Sequence, residues 1–189
     1  MPSSRIEFSE LAGLAAGKAR RGMQLNPLDL PRLAELVVIP GGDEFEDSNQ
    51  TSEWLGTDVR FDDGPEGFPR VHLIITGNLV LECQRCLQPV GWQVEIESQL
   101  TVLSDVAQTA ELEDPFDSVL MDIEGLNLQV LVEDEILTAL PLVPVHGPGT
   151  KCAESGPAGA ETGMDAAQTN RPFAKLASMT GRAAKNRSN

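Results

Sequence analysis

The chain is 189 residues long, carries a formal charge of −15 and is 41% hydrophobic, with six Phe, two Trp and no Tyr. That length fits one domain with tails, the apolar content excludes a wholly disordered chain, and the acidic balance disfavours a body that grips phosphates. So few aromatics argue against base-stacking platforms, and three cysteines without a basic-then-apolar leader in residues 1–8 predict reduced thiols in the cytoplasm.

Taken in chain order, Ile6 and Phe8 predict a strand or extended start, followed by a small-residue, basic stretch over residues 11–21. Asp29-Leu30-Pro31 opens a segment whose apolar spacing through Leu33, Leu36 and Val37 suits a helix, while its Val37-Val38-Ile39 end suits a strand. Pro40-Gly41-Gly42 stops it. Between positions 43 and 66 nine acids stand against one Arg. Much of that stretch reads as solvated acidic surface, with Trp54, Val59 and Phe61 able to form an outer strand.

The clearest pattern follows. Apolar residues fall on odd numbers through Val71, Leu73, Ile75, Leu79, Leu81 and Cys83, then on even numbers through Val90, Trp92, Val94, Ile96, Leu100 and Val102. Period-two alternation on both sides of a short connector predicts a long antiparallel hairpin over about residues 70–103, since a parallel crossover needs a dozen residues or more. Residues 104–118 are acidic and loop-like, and Val119 to Ile123 suggest a further strand. A helix is predicted over about residues 126–140, where Leu128, Val132, Ile136 and Leu140 recur at four, Asn127 suits the N-cap and Pro141 the stop. No apolar run approaches the roughly 20 residues of a membrane span.

The expectation is therefore an α+β protein, an antiparallel sheet built on the hairpin with a packed helix. Residues 1–150 would form one domain and residues 151–189 a largely flexible tail. Within that tail a short basic motif at residues 171–187 contains Arg171, Lys175, Arg182, Lys185 and Arg187, and residues 170–189 hold no acid.

Chemistry concentrates in the hairpin connector, Cys83-Gln84-Arg85-Cys86. Two thiolates at this spacing on a tight turn can converge on one ion, but a closed tetrahedral site wants four ligands. The remaining Cys152 and His146 lie in the Pro/Gly-rich exit from the predicted helix. If that helix packs on the hairpin, Cys83, Cys86, His146 and Cys152 meet as a Cys3His set for one structural Zn²⁺. The alternative is an inward-packed strand cysteine and a loop histidine. A redox dithiol at Cys83 and Cys86 is a further reading, although the helix that should follow such a motif is replaced by Leu87-Gln88-Pro89 and another strand pattern. No G-x-S-x-G elbow, phosphate loop or H-E-x-x-H motif occurs, and there are only two histidines.

Three segments resemble the YceD family of large ribosomal RNA subunit accumulation proteins. They are Leu81-Glu-Cys-Gln-Arg-Cys-Leu-Gln-Pro-Val90, then Leu131-Val-Glu-Asp-Glu-Ile-Leu-Thr-Ala-Leu-Pro-Leu-Val-Pro-Val-His146 followed by Cys152, and Arg171-Pro-Phe-Ala-Lys-Leu-Ala-Ser178. The resemblance implies a cytoplasmic, non-enzymatic factor in the synthesis, processing or stability of 23S ribosomal RNA. Its partner would be that RNA, its precursor or a pre-ribosomal particle, with no membrane and no small-molecule substrate. On this reading Arg85, Arg171, Lys175, Arg182, Lys185 and Arg187 touch phosphates, which position a protein without reading sequence. The acidic body keeps a second reading open, an escort for a basic ribosomal protein.

Overall fold

The computed structural model describes residues 5–39, 54–64, 67–112, 117–150 and 152. In chain order its elements are β1 (Arg5–Ile6), α1 (Phe8–Ala16), β2 (Arg20–Leu25), α2 (Pro31–Ala34), β3 (Leu55–Asp63), β4 (Pro69–Glu82), β5 (Pro89–Leu103), β6 (Ser118–Leu120), β7 (Leu126–Asn127) and α3 (Leu128–Ala139). The fold is α+β: one sheet of order β2-β3-β4-β5-β6, a small β1-β7 pair, and helices packed on the sheet.

The predicted hairpin is the backbone of the molecule. Strands β4 and β5 pair antiparallel from Arg70↔Thr101 to Glu82↔Pro89 in one unbroken register. In that register each odd residue of β4 faces an even residue of β5, as in Ile75↔Ile96 and Leu79↔Trp92. The switch of the apolar set from odd to even numbers is thus what keeps both sets on one face. Val71, Leu73, Ile75, Leu79, Val94 and Val102 are buried there, while Glu95, Glu97 and Gln99 face solvent. The strand suggested by Val59 and Phe61 is β3, antiparallel to β4, but it is not an outer strand, because β2 pairs along its other side and takes the sheet edge.

Three local expectations need correction. Phe8 begins a helix rather than continuing a strand, and residues 11–21 divide between the rest of α1 and the start of β2. The segment opened by Asp29 becomes the single turn of α2 with Pro31 in its first position, and its Val-Val-Ile end forms no strand, although Val38 N–H donates to the Val80 carbonyl at 2.8 Å. The strand near Val119 is β6, but it runs parallel to β5 with Thr101↔Ser118 and Leu103↔Leu120. Strand β5 ends at Leu103 and β6 begins at Ser118, and a separation of that length along the chain is what parallel pairing requires.

Helix α3 lies where its four-residue spacing places it. The Asn127 side chain accepts from the N–H groups of Gln129 and Val130 at 3.0 and 3.4 Å, satisfying two donors that the first turn leaves open. Leu128, Leu131, Val132 and Ile136 are buried among the hairpin, α1 and α2 residues, each worth about 1.5–3 kcal/mol against exposure. Glu133 is buried on the same helix, only 3% exposed. Its carboxylate accepts from the N–H groups of Arg32 and Leu33 at 2.7 and 3.1 Å and from the Arg32 guanidinium at 2.9 and 3.0 Å, so it caps α2 across a hundred residues of sequence.

Just before α3 the chain must pass close to β1. Gly125 has φ of +104°, and a Cβ there would stand 2.5 Å from the Ile6 carbonyl oxygen, so the β1-β7 pairing needs glycine at this position. The chain divides into two units, residues 1–148 and 149–189. All the elements above belong to the first. Of the second, only Gly149, Thr150 and Cys152 are described, so the tail expected over residues 151–189 and its basic motif lie outside the described residues. Among the described residues no helix is long and apolar enough to cross a membrane.

Candidate metal centre

As β4 ends, the backbone folds back on itself. Cys83 N–H donates to the Gln88 carbonyl at 2.9 Å, and Leu87 N–H donates to the Cys83 carbonyl at 2.8 Å. Leu87 adopts φ of +59°, the left-handed conformation that closes so tight a turn. Cys83 is buried, Cys86 half-buried, and no disulfide joins any of the three cysteines.

The other half of the site arrives from α3. Pro141 has no N–H with which to extend the helix, and residues 141–147 run as an irregular strap. The strap is pinned to the turn by Gln84 N–H donating to the Pro144 carbonyl at 2.9 Å. It brings His146 to the thiols, with Nδ1 3.5 Å from the Cys86 sulfur and Nε2 3.0 Å from the Pro89 carbonyl oxygen. A carbonyl can only accept, so Nε2 carries a proton toward Pro89 and Nδ1 is the ring nitrogen turned to the sulfurs, the atom that would give its lone pair to a metal ion. Such a bond from the outer ring nitrogen fixes the tautomer and orientation of a metal-binding imidazole.

Cys152 is also buried, and the ligand atoms of Cys83, Cys86, His146 and Cys152 all lie within 4.8 Å of one another. Tetrahedral zinc, with Zn–S of about 2.3 Å and Zn–N of about 2.0–2.1 Å, sets sulfurs roughly 3.8 Å apart and sulfur from nitrogen roughly 3.6 Å. The Cys86–His146 separation already matches, and closing the longest separation takes about 1 Å of movement. Burial pushes the Cys83 thiol up. Opposing it, the backbone N–H groups of Cys86, Arg85 and His146, together with the His146 ring, favour the thiolate and bring it down to about 5. A thiolate-rich set with an oriented imidazole fits a soft or borderline ion such as Zn²⁺. The turn leads into β5 rather than a helix, so the thiols have no helix N-terminus of the kind that activates a redox dithiol.

Thus the four sulfur and nitrogen ligands named from the sequence come together. Of the cations named with them, Arg85 is exposed on the same turn, whereas Arg171, Lys175, Arg182, Lys185 and Arg187 lie outside the described residues. Arg85 differs from most of its kind. Six of the eight basic side chains among the described residues bind carboxylates: Arg5, Arg20, Arg21, Arg32, Arg60 and Arg70. Arg85 and Lys18 form no ion pair among the described residues. The parts that sequence reasoning missed are backbone groups, the carbonyls of Pro89 and Pro144. Only the prolines flanking the turn and strap hinted at rigid acceptors there.

A C-x-x-C turn at the tip of a hairpin, clasped by a strap from the following helix, defines an α+β protein with a Cys3His cluster close enough to hold a metal ion. A family model described as "Large ribosomal RNA subunit accumulation protein YceD" matches residues 71–180, more than half of the chain and all four of these ligands. The chain belongs to that family. It is 36% identical over 67 residues to the large ribosomal RNA subunit accumulation protein YceD of Haemophilus influenzae, a match spanning 35% of this chain and 38% of that relative's length. No solved structure matches.

Proposed function

We propose that this protein is a non-enzymatic, cytoplasmic factor that supports 23S ribosomal RNA during synthesis, processing or stabilisation by binding the RNA, its precursor or a pre-ribosomal particle. One structural Zn²⁺ on Cys83, Cys86, His146 and Cys152 would lock the hairpin turn to the strap and so hold Arg85 in a fixed, exposed position. The basic residues Arg171, Lys175, Arg182, Lys185 and Arg187 would add phosphate contacts. The observation carrying this reading is that the family match contains the whole cluster and the exposed arginine beside it. Arg85 is available to a phosphate because no described carboxylate neutralises it, unlike the arginines of the sheet face.

The test is sedimentation of the tagged protein from cells, followed by ultraviolet crosslinking. The expected outcome is co-migration with large-subunit precursors and direct RNA adducts at the turn, with binding that weakens steeply as salt is raised. Adducts to protein alone, surviving RNase, would overturn RNA contact. A chain ending at Asn170 that binds precursor RNA as tightly as the full chain would remove the C-terminal cations from the contact.

A further inference from the structure

At the opposite end of the hairpin lies a surface of different chemistry. Two clefts of about 330 and 350 Å³ flank the chain between β6 and α3 and share Met121 and Gly125. Val119, Leu126 and Leu131 line the first, between the sheet edge and the helix. Along the same strip Phe8, Leu120 and Val130 are 44%, 51% and 45% exposed, and Ile123 is fully so. Single exposed apolar side chains need no explanation, but four around adjoining clefts form the kind of patch that marks a contact surface.

The polar residues lining these clefts are one-sided. Glu7, Asp122, Glu124 and Asp134 are the acids, and Arg5 is the one cation among the described residues there. Arg5 is already paired with Glu124, while Asp134 binds Arg32 at 2.6 Å. RNA phosphates would meet like charge here, and a second copy of the same surface would set carboxylates against carboxylates. An apolar strip rimmed by acid is complementary to a chain that carries cations between apolar side chains.

We propose that this strip binds an extended, lysine- or arginine-rich segment of a protein partner, whose apolar side chains enter the two clefts while its cations meet the rim. The surface stands apart from the turn proposed for RNA and does not depend on that reading. Its small size suits a transient contact, with a Kd on the order of 1–100 μM.

The experiment uses the full chain and a fluorescent 12-residue peptide alternating Lys with Leu, followed by anisotropy. Val130→Lys and Leu120→Lys change exposed side chains within the strip, and Gln93→Lys adds the same charge to an exposed site on the other half of the hairpin. Binding of the Lys/Leu peptide, weakened at least tenfold by either strip variant and less than twofold by Gln93→Lys, is the expected result. A Lys/Ser peptide without apolar side chains should bind at least tenfold more weakly than Lys/Leu. Equal losses in all three variants would show diffuse charge attraction and overturn the proposal, as would no peptide binding. So would a uridine oligonucleotide that competes at the strip. Failure here leaves RNA adducts at the turn unaffected, so the two readings can fail separately.

Discussion

The two ends of the β4-β5 hairpin are about 40 Å apart, twelve residues along β4 at roughly 3.3 Å each, and they are built by opposite means. At the tip the chain has few apolar contacts to offer, and order comes from backbone hydrogen bonds, prolines and a cluster of sulfur and nitrogen ligands. At the other end β6, β7 and α3 close over apolar side chains, and order comes from packing and a capped helix. The tip displays an unneutralised arginine, whereas the far end displays carboxylates. One sheet thus holds two electrostatically distinct surfaces far beyond a Debye length of about 8 Å from each other, so the charge of one is screened from the other.

The largest expected effect separates the two ends directly. Wild-type protein should contain about one zinc per chain by elemental analysis, and Cys86→Ser should contain essentially none. The variant should also lose about 4 kcal/mol of stability, far less than the roughly 10–16 kcal/mol of zinc-finger peptides that fold only on metal, because the first unit has its own core. Hydrogen exchange should show where the loss falls: the amides of Cys83, Gln84 and Leu87 lose protection while those of α3 keep it. Uniform loss along the chain would erase the distinction between a metal-ordered tip and a packed far end.

Next in size is the buried carboxylate that joins α2 to α3. In Glu133→Gln one amide nitrogen must face donors, which should cost about 2–3 kcal/mol in denaturant unfolding with zinc content unchanged. Burial raises the Glu133 carboxyl, but the Leu33 N–H, the Arg32 guanidinium and the Arg32 N–H together hold it below its ordinary value of 4.5. The folded chain therefore binds this proton less tightly than the unfolded chain does. Its contribution is present above pH of about 4.5 and is lost as pH falls through the lower folded value. Stability measured across that range should fall less steeply with acid in Glu133→Gln than in wild type.

How much of this was legible in the sequence follows from how each part is specified. The hairpin and α3 announce themselves because their apolar residues repeat with the period of the element, and Asn127 marks its helix start through a short-range side-chain bond. Helix α1 is harder to see. Only Leu11 and Ala15 of its nine residues are buried, and alanines and a glycine blur the stripe. Edge strand β2 carries Arg20, Arg21, Gly22 and Gln24, so little but pairing with β3 makes it a strand. The direction of β6 is a matter of its pairing with β5, which no periodicity of its three residues records. In the Cys/His cluster, spacing supplied Cys83 and Cys86, while His146 and Cys152 followed only if the helix packed on the hairpin. The Pro89 carbonyl that sets the imidazole tautomer carries no side-chain signal at all.

A smaller effect probes the far end alone. Gly125→Ala places a methyl against the Ile6 carbonyl and forces a β-carbon into a left-handed region, at a cost of about 2 kcal/mol. Unfolding should shift by that amount, exchange should rise at the β1-β7 pair, and zinc content should stay as in wild type. If metal is lost as well, the two ends are coupled more tightly than their separation suggests.

The smallest effect on stability is the most informative about the tip. Arg85 is exposed and has no ion pair among the described residues, so Arg85→Ala should leave unfolding within about 0.5 kcal/mol of wild type. If its guanidinium neutralises one phosphate, removing it should lower the slope of log affinity against log salt by about 0.7–0.9, the share of one contact on single-stranded or duplex nucleic acid. The comparison must be made over a salt series on precursor RNA, because a fall in affinity at one salt concentration does not distinguish a lost phosphate contact from a disturbed turn. A reduced slope with intact zinc places a phosphate at the metal-ordered tip. An unchanged slope moves the RNA contact away from the turn and leaves the cluster a purely structural clasp.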